Sequence, residues 1–213
     1  MRGVIFDLDG TLVDSLDDIT AALARAFGEL GLEALDRAAV ERHVGHGARM
    51  LVRGALGDQA HLEEEALERF RAAYDDALVV HTRAFEGVHA LLDTLAARST
   101  PTAVLSNKPH PMTRRVVEAL FGHHPFVEVL GQRPSVRRKP DPAAALELAE
   151  RLALPPAEIL FVGDTRVDLR TAHAAGMVAV GVRWGMRRPA ELAGADHLVS
   201  HPEDILALLG GGA

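Results

Sequence analysis

The sequence predicts an α/β fold, a doubly wound parallel sheet with an inserted α-helical cap domain, and three features predict it. Five short apolar runs are spread along the chain, and segments of helical periodicity separate the last four. One long interval, residues 15–81, holds several helical patterns and no convincing strand. Polar residues follow the runs at corresponding places, as they do where an open α/β sheet binds a ligand beyond the carboxyl ends of its strands.

The first run, Val4-Ile5-Phe6, lacks alternation and reads as a strand buried on both faces. It ends in Asp7-Leu8-Asp9-Gly10-Thr11, where Asp7 and Asp9 stand two apart and point to one side of an extended backbone. Gly10 then allows a sharp turn. The helical interval begins directly after this stretch, so residues 15–81 are expected to form a cap acting as a lid, and residues 1–14 with 82–213 the catalytic core. Within the cap, Gly45 and Gly47 mark a turn into a helix whose free N–H groups, together with Arg49, suit a small carboxylate.

Val88, Leu91, Leu92 and Leu95 follow the i, i+3, i+4, i+7 rule and precede the second strand, Ala103-Val104-Leu105, after which come Ser106, Asn107 and Lys108. The third run is Val127-Glu128-Val129-Leu130, followed at a distance by Lys139. Ala145, Leu148, Ala149 and Leu152 repeat the helical pattern ahead of the fourth run, Ile159-Leu160-Phe161-Val162, which ends in Gly163 and Asp164 with Asp168 four residues on. A helix starting near Thr165 puts both acids around its first turn, where carboxylates are favoured. Val178 to Val182 is the fifth run. Arg187 and Arg188 read as a solvated loop, and Gly210-Gly211-Gly212 as a frayed tail.

At 213 residues, with 48% apolar and 25% charged residues and a mean hydropathy of +0.06, the chain has the balance of a soluble globular protein. A net charge of -7 offers no standing attraction to nucleic acid or to an anionic membrane, so an anionic substrate needs a local positive site. There is no cysteine, which excludes disulfides and thiolate metal sites. The N-terminal apolar run is too short for a signal sequence or a membrane span, and a cytoplasmic location is expected. Nothing marks a strong dimer surface, which predicts a monomer or a weak homodimer. Lys108 and Lys139 are the only lysines among otherwise arginine cations, a hint that a compact ammonium is needed at those two places.

Carboxylates converging at the strand ends call for a cation, because two of them about 5 Å apart repel by roughly 3 kcal/mol at an effective dielectric near 20. An all-oxygen site suits Mg²⁺. Lys139, the Ser106 hydroxyl, the Asn107 amide and the loop N–H groups from Leu8 to Gly10 supply positive and donor groups for a phosphate. An ionised carboxylate can attack phosphorus and form an aspartyl-phosphate, while a second one protonates the leaving oxygen and then activates water. Lys108 reads either as a substrate contact or as a solvated side chain.

On FDLDGTLVDS from Phe6 to Ser15, SNKP from Ser106 to Pro109, RRKPDP from Arg137 to Pro142 and VGDTRVDLRTAHAAGM from Val162 to Met177, the sequence resembles the haloacid dehalogenase superfamily and, within it, the phosphoglycolate phosphatases. The resemblance implies that Asp7 is the nucleophile, Asp9 the acid/base and, through its carbonyl, a magnesium ligand, and Ser106 and Lys139 the phosphate and charge-balancing groups. It further implies Asp164 as a metal ligand, Asp168 as a residue that orients the metal shell, and Thr11 as part of the phosphate-binding loop. The stretch His43 to Leu51 resembles the cap segment of the subgroup, which points to 2-phosphoglycolate as the small phosphorylated metabolite. Gly131-Gln132-Arg133 and Glu86-Gly87 depart from the usual Gly-Gly-Asp and Pro-Gly and leave the local loop conformation open.

Three other functions compete. A phosphosugar mutase of the β-phosphoglucomutase kind would return the phosphoryl group to substrate, a metal-free dehalogenase is disfavoured by Asp9, and a non-enzymatic binder by the intact Asp7 and Lys139. His43/His46 and His123/His124 lack the helical spacing and companion carboxylates of a zinc site and read as surface or loop histidines. Asp14 and Asp141 read as turn or capping residues.

Overall fold

A computed structural model describes residues 1–186 and 189–210; Arg187, Arg188 and the last three residues lie outside the described part. The strands are β1 (Gly3–Phe6), β2 (Val13–Asp14), β3 (Arg83–Ala84), β4 (Thr102–Pro109), β5 (Glu128–Gln132), β6 (Ile159–Gly163), β7 (Val178–Val182) and β8 (His197–Val199). The α-helices are α1 (Leu16–Gly28), α2 (Arg37–Glu41), α3 (Ala48–Leu56), α4 (Glu63–Asp76), α5 (Val88–Ala97), α6 (His110–Phe121), α7 (Ala143–Leu152), α8 (Arg166–Ala174) and α9 (Ile205–Leu208).

The main sheet runs β5-β4-β1-β6-β7-β8 with parallel pairing throughout, and β2 and β3 form a separate two-stranded sheet. The chain leaves β1 toward β4 and β5 and later returns to β6 on its other side. The switch in direction therefore lies beside β1, where Phe6 is in register with Val104 and Val162. A crevice opens at the carboxyl end of such a switch, because the flanking connections leave on opposite faces of the sheet.

Val4, Ile5 and Phe6 are essentially fully buried, as a strand covered on both faces requires. Leu91, Leu92 and Leu95 of α5 and Ala145, Leu148, Ala149 and Leu152 of α7 turn their apolar stripes inward. Ile5, Leu105, Leu130, Leu148, Phe161 and Leu169 belong to one apolar cluster of the core.

The chain divides into two compact units, Met1–Val13 with Ala84–Ala213, and Asp14–Arg83. The second holds α1 to α4. Its chain ends are tied by Asp18, whose carboxylate accepts the N–H groups of Val80, His81 and Thr82 at 2.8 to 3.0 Å and the Thr82 hydroxyl at 2.7 Å. The sheet has one strand more than the five expected: β8 is a three-residue edge, too short for its period to show. β4 continues through Ser106-Asn107-Lys108, past its expected end at Leu105.

Candidate active site

The site is built from the carboxyl end of β4 and from the segments that follow β1, β5 and β6. Asp7 follows Phe6 directly, and its N–H donates to the Val162 carbonyl at 2.9 Å, so the ladder between β1 and β6 carries one step into the site. The chain then coils on itself: Thr11, Leu12 and Val13 all donate N–H groups to the Leu8 carbonyl. Gly10 takes a φ of +88°, and a Cβ there would stand 2.6 Å from Asp164 Cγ. Only glycine gives that turn together with that approach.

Lys139 is the centre of charge. Its ammonium lies 2.8 Å from Asp7 Oδ1 and 2.7 Å from Asp168 Oδ1, and it donates to the Leu105 carbonyl at 3.0 Å, with the Phe161 ring centroid 5.7 Å away. Burial works against its charge, but Asp168 and Asp7 outweigh that and hold it above the ordinary lysine range. Asp7 moves the other way. Burial first and Asp168 second push its carboxyl up from 3.8 to about 7, with Lys139 opposing and Asp9 adding a smaller push.

Asn107 clamps this lysine by its backbone. Its Oδ1 accepts the Lys139 N–H at 2.9 Å and its Nδ2 donates to the Lys139 carbonyl at 3.2 Å. Both ends of the Asn107 amide thus hold the Lys139 backbone in place. Ser106 is buried, and its hydroxyl accepts the Lys108 N–H at 3.2 Å. Lys108 is not solvated; its ammonium meets Asp9 Oδ1 at 2.6 Å with its side chain 3% exposed. Both lysines of the chain thus end on acids of the first loop.

Asp164 is 1% exposed and its Oδ2 accepts the Met186 N–H at 2.9 Å. Asp168 closes the first turn of α8, its Oδ2 accepting the N–H and hydroxyl of the N-cap residue Thr165 while Oδ1 meets Lys139. Asp7, Asp164 and Asp168 offer carboxylate oxygens within 4.8 Å of one another, all buried. Three buried carboxylates against one ammonium leave an excess of negative charge, and an all-oxygen donor set is the chemistry a hard divalent cation takes. The residues fit a metal ion. Because both Asp168 oxygens are already engaged, Asp7 and Asp164 are better placed to hold the ion directly than Asp168 is. The Asp9 side chain faces Lys108 and is not one of the three.

Thr11 is 1% exposed; its carbonyl accepts the Trp184 indole N–H at 3.0 Å, and its hydroxyl has no hydrogen-bond partner among the described residues. The segment Trp184-Gly185-Met186 was not anticipated as part of the site. It contributes the Trp184 indole N–H, the Met186 backbone N–H and the absence of a side chain at Gly185, where a Cβ would collide with Asp164. The one usable signal is the chain's single tryptophan two residues beyond the fifth strand.

Gly45 and Arg49 belong to the other unit. Gly45 has a φ of +102°, and α3 starts at the N-cap Gly47, which supplies no side-chain cap. The Arg49 guanidinium pairs with Glu63 at 2.7 Å and with both oxygens of Glu64, so a substrate carboxylate would compete there with two acids of the same unit. No helix among the described residues is long and apolar enough to cross a membrane.

The chain is similar to several known proteins. A phosphoglycolate phosphatase of Rhodospirillum rubrum is 39% identical over 196 residues, spanning 88% of this chain and 81% of that protein. One from Aquifex aeolicus is 32% identical over 210 residues, 98% of this chain and 97% of that protein. A solved structure from Lactobacillus delbrueckii subsp. bulgaricus superposes with a TM-score of 0.93 at 28% identity over 99% of both chains. A haloacid dehalogenase-like family hydrolase of Streptococcus pneumoniae does so with a TM-score of 0.89 at 25% identity over 98% of both. The pattern that defines haloacid dehalogenase-like hydrolases matches residues 4–182. With Asp7, Lys139, Asp164 and Asp168 gathered at the switch point of its sheet, the chain belongs to the haloacid dehalogenase-like hydrolase family.

Proposed function

We propose that the chain is a Mg²⁺-dependent phosphomonoester hydrolase that works through an aspartyl-phosphate on Asp7, with 2-phosphoglycolate as its substrate. The observation that carries the reading is the buried Asp7 carboxylate held by Lys139 in a site with two further acids. An Asp7 oxygen attacks phosphorus as the ester P–O bond breaks, and Asp9 gives its proton to the departing alkoxide. Asp9, now a carboxylate, takes a proton from water, whose oxygen attacks the phosphorus and returns Asp7 with release of inorganic phosphate. Lys139 offsets charge beside Asp7 during both steps, and Lys108 holds Asp9 in place. Mg²⁺ held by Asp7, Asp164 and the Asp9 carbonyl would keep Asp7 ionised at neutral pH and offset the phosphate charge.

The names of the relatives support 2-phosphoglycolate. The Asp14–Arg83 unit is assigned the part of a cap that selects substrate, through the Gly45–Arg49 stretch. Recognition of a carboxylate by Arg49 then requires exchange with Glu63 and Glu64, so Arg49→Ala raises KM for phosphoglycolate more than for an uncharged aryl phosphate. The deciding experiment is phosphate release from 2-phosphoglycolate with Mg²⁺, with chelator, and with Asp7→Asn. Release that survives in a folded Asp7→Asn protein ends the proposal, and isomerised hexose phosphate without free phosphate would favour the mutase.

A further inference from the structure

On either side of Ser106–Pro109 in the sequence, and outside the catalytic motifs, three histidines meet. His89 lies in the first turn of α5, and His123 and His124 follow the C-terminal end of α6. One ring nitrogen from each lies within 4.8 Å of the others. The ring centroids are 5.9 Å apart for His89 with either partner and 4.0 Å apart for His123 and His124.

We propose that His89, His123 and His124 form a binding site for one divalent transition-metal ion of the zinc class, clamping the start of α5 to the end of α6. Imidazole nitrogens suit zinc, copper and nickel, and three of them leave a position for water or a fourth ligand. A carboxylate stands at hand. Asp93 is one helical turn after His89 on α5, and its Oδ1 is 3.7 Å from His124 Nδ1, longer than a hydrogen bond but near enough to orient the ring once an ion is bound.

His124 is the strongest single indication. Its side chain is 3% exposed, and its Nε2 is buried with no hydrogen-bond partner among the described residues. A buried imidazole in that state carries an uncompensated desolvation cost, and a metal ion is one partner that removes it. The surroundings also fix the rings: Phe121 packs against His89 at 5.2 Å and against His124 at 6.1 Å, and Phe126 is 6.3 Å from His124. His89 and His123 are exposed, which gives an ion from solvent a path to the cluster.

Simple aromatic packing is the competing account, and the two differ in what zinc does. Zn²⁺ titrated calorimetrically into the full chain in excess Mg²⁺, which occupies the carboxylate centre, is expected to bind at one ion per chain and to raise the melting temperature. His89→Gln and His123→Gln, both at exposed positions, should each weaken Zn²⁺ binding by about tenfold or more and abolish the thermal shift. Asp164→Asn should leave it unchanged. No Zn²⁺ uptake, uptake indifferent to both histidine substitutions, or uptake lost on Asp164→Asn would each overturn the site. None of these readouts depends on phosphatase activity, so the proposal stands or falls apart from the one above.

Discussion

Lys139 Nζ sits 2.8 Å from Asp7 Oδ1, and the same ammonium reaches Asp168 at 2.7 Å, so one cation separates two buried carboxylates. Removing it leaves two acids facing each other out of water. Lys139→Met is expected to destabilise the protein by about 3–5 kcal/mol at neutral pH, as when one partner of a buried pair is deleted. Urea unfolding measures this. The loss should shrink toward pH 4 as the orphaned carboxylates take up protons; a loss independent of pH would mean that packing against Phe161, not charge, is what Lys139 provides.

Asp7 in the metal-free protein holds its proton up to about 7, against 3.8 for an ordinary aspartate. Between those values the folded state binds the proton and the unfolded state has released it, so raising pH through that window lowers stability, by up to about 1.4 kcal/mol per pH unit. Asp7→Asn removes this contribution. In chelator, the stability difference between Asp7→Asn and wild type should therefore widen from pH 4 to 7, and Mg²⁺ should narrow it. Parallel stability curves for the two proteins would rule out the buried proton.

Asp18 behaves oppositely. Burial disfavours its charge, but the Thr82 hydroxyl and the N–H groups of His81, Thr82 and Val80 outweigh that and hold it below the usual carboxylate value. Its stabilisation is therefore fully present above the unfolded pKa of about 4 and is lost as pH falls through the lower folded value. Asp18→Asn should cost about 2–3 kcal/mol at pH 7, with wild type and variant converging in acid. A difference that persists undiminished in strong acid would count against a charge-based role.

Gly10→Ala tests the tight packing of the first loop against Asp164. A Cβ there meets a φ of +88° and the Asp164 carboxyl group, so a strain of about 1–3 kcal/mol is expected. The displaced Asp164 should raise the Mg²⁺ concentration for half-maximal activity by about tenfold or more. An unchanged Mg²⁺ requirement would separate Asp164 from metal binding.

Much of the site was legible because its parts are local. Apolar runs mark buried strands through their composition, and the acids that follow β1 and β6 stand in sequence where a doubly wound sheet places ligands. The restriction of lysine to positions 108 and 139 pointed to two ammonium groups with special work, and both are buried against acids. β8 escaped notice because three residues at an edge carry too little pattern, and Trp184-Gly185-Met186 because a backbone N–H and a missing side chain leave no signature in a side-chain string and a single indole leaves little.

The sequence by itself determined the class of fold, the order of the motifs and the chemical identity of Asp7, Asp9, Lys139, Asp164 and Asp168. Only the tertiary structure decided who meets whom: Lys108 with Asp9 across 99 positions, Asn107 with the backbone of Lys139, Arg49 with Glu63 and Glu64, and His89 with His123 and His124. The reason is physical. Strand and helix periods are set by neighbouring residues, whereas a charge or an imidazole finds its partner through sheet register and helix packing, which bring together residues that the linear string keeps apart.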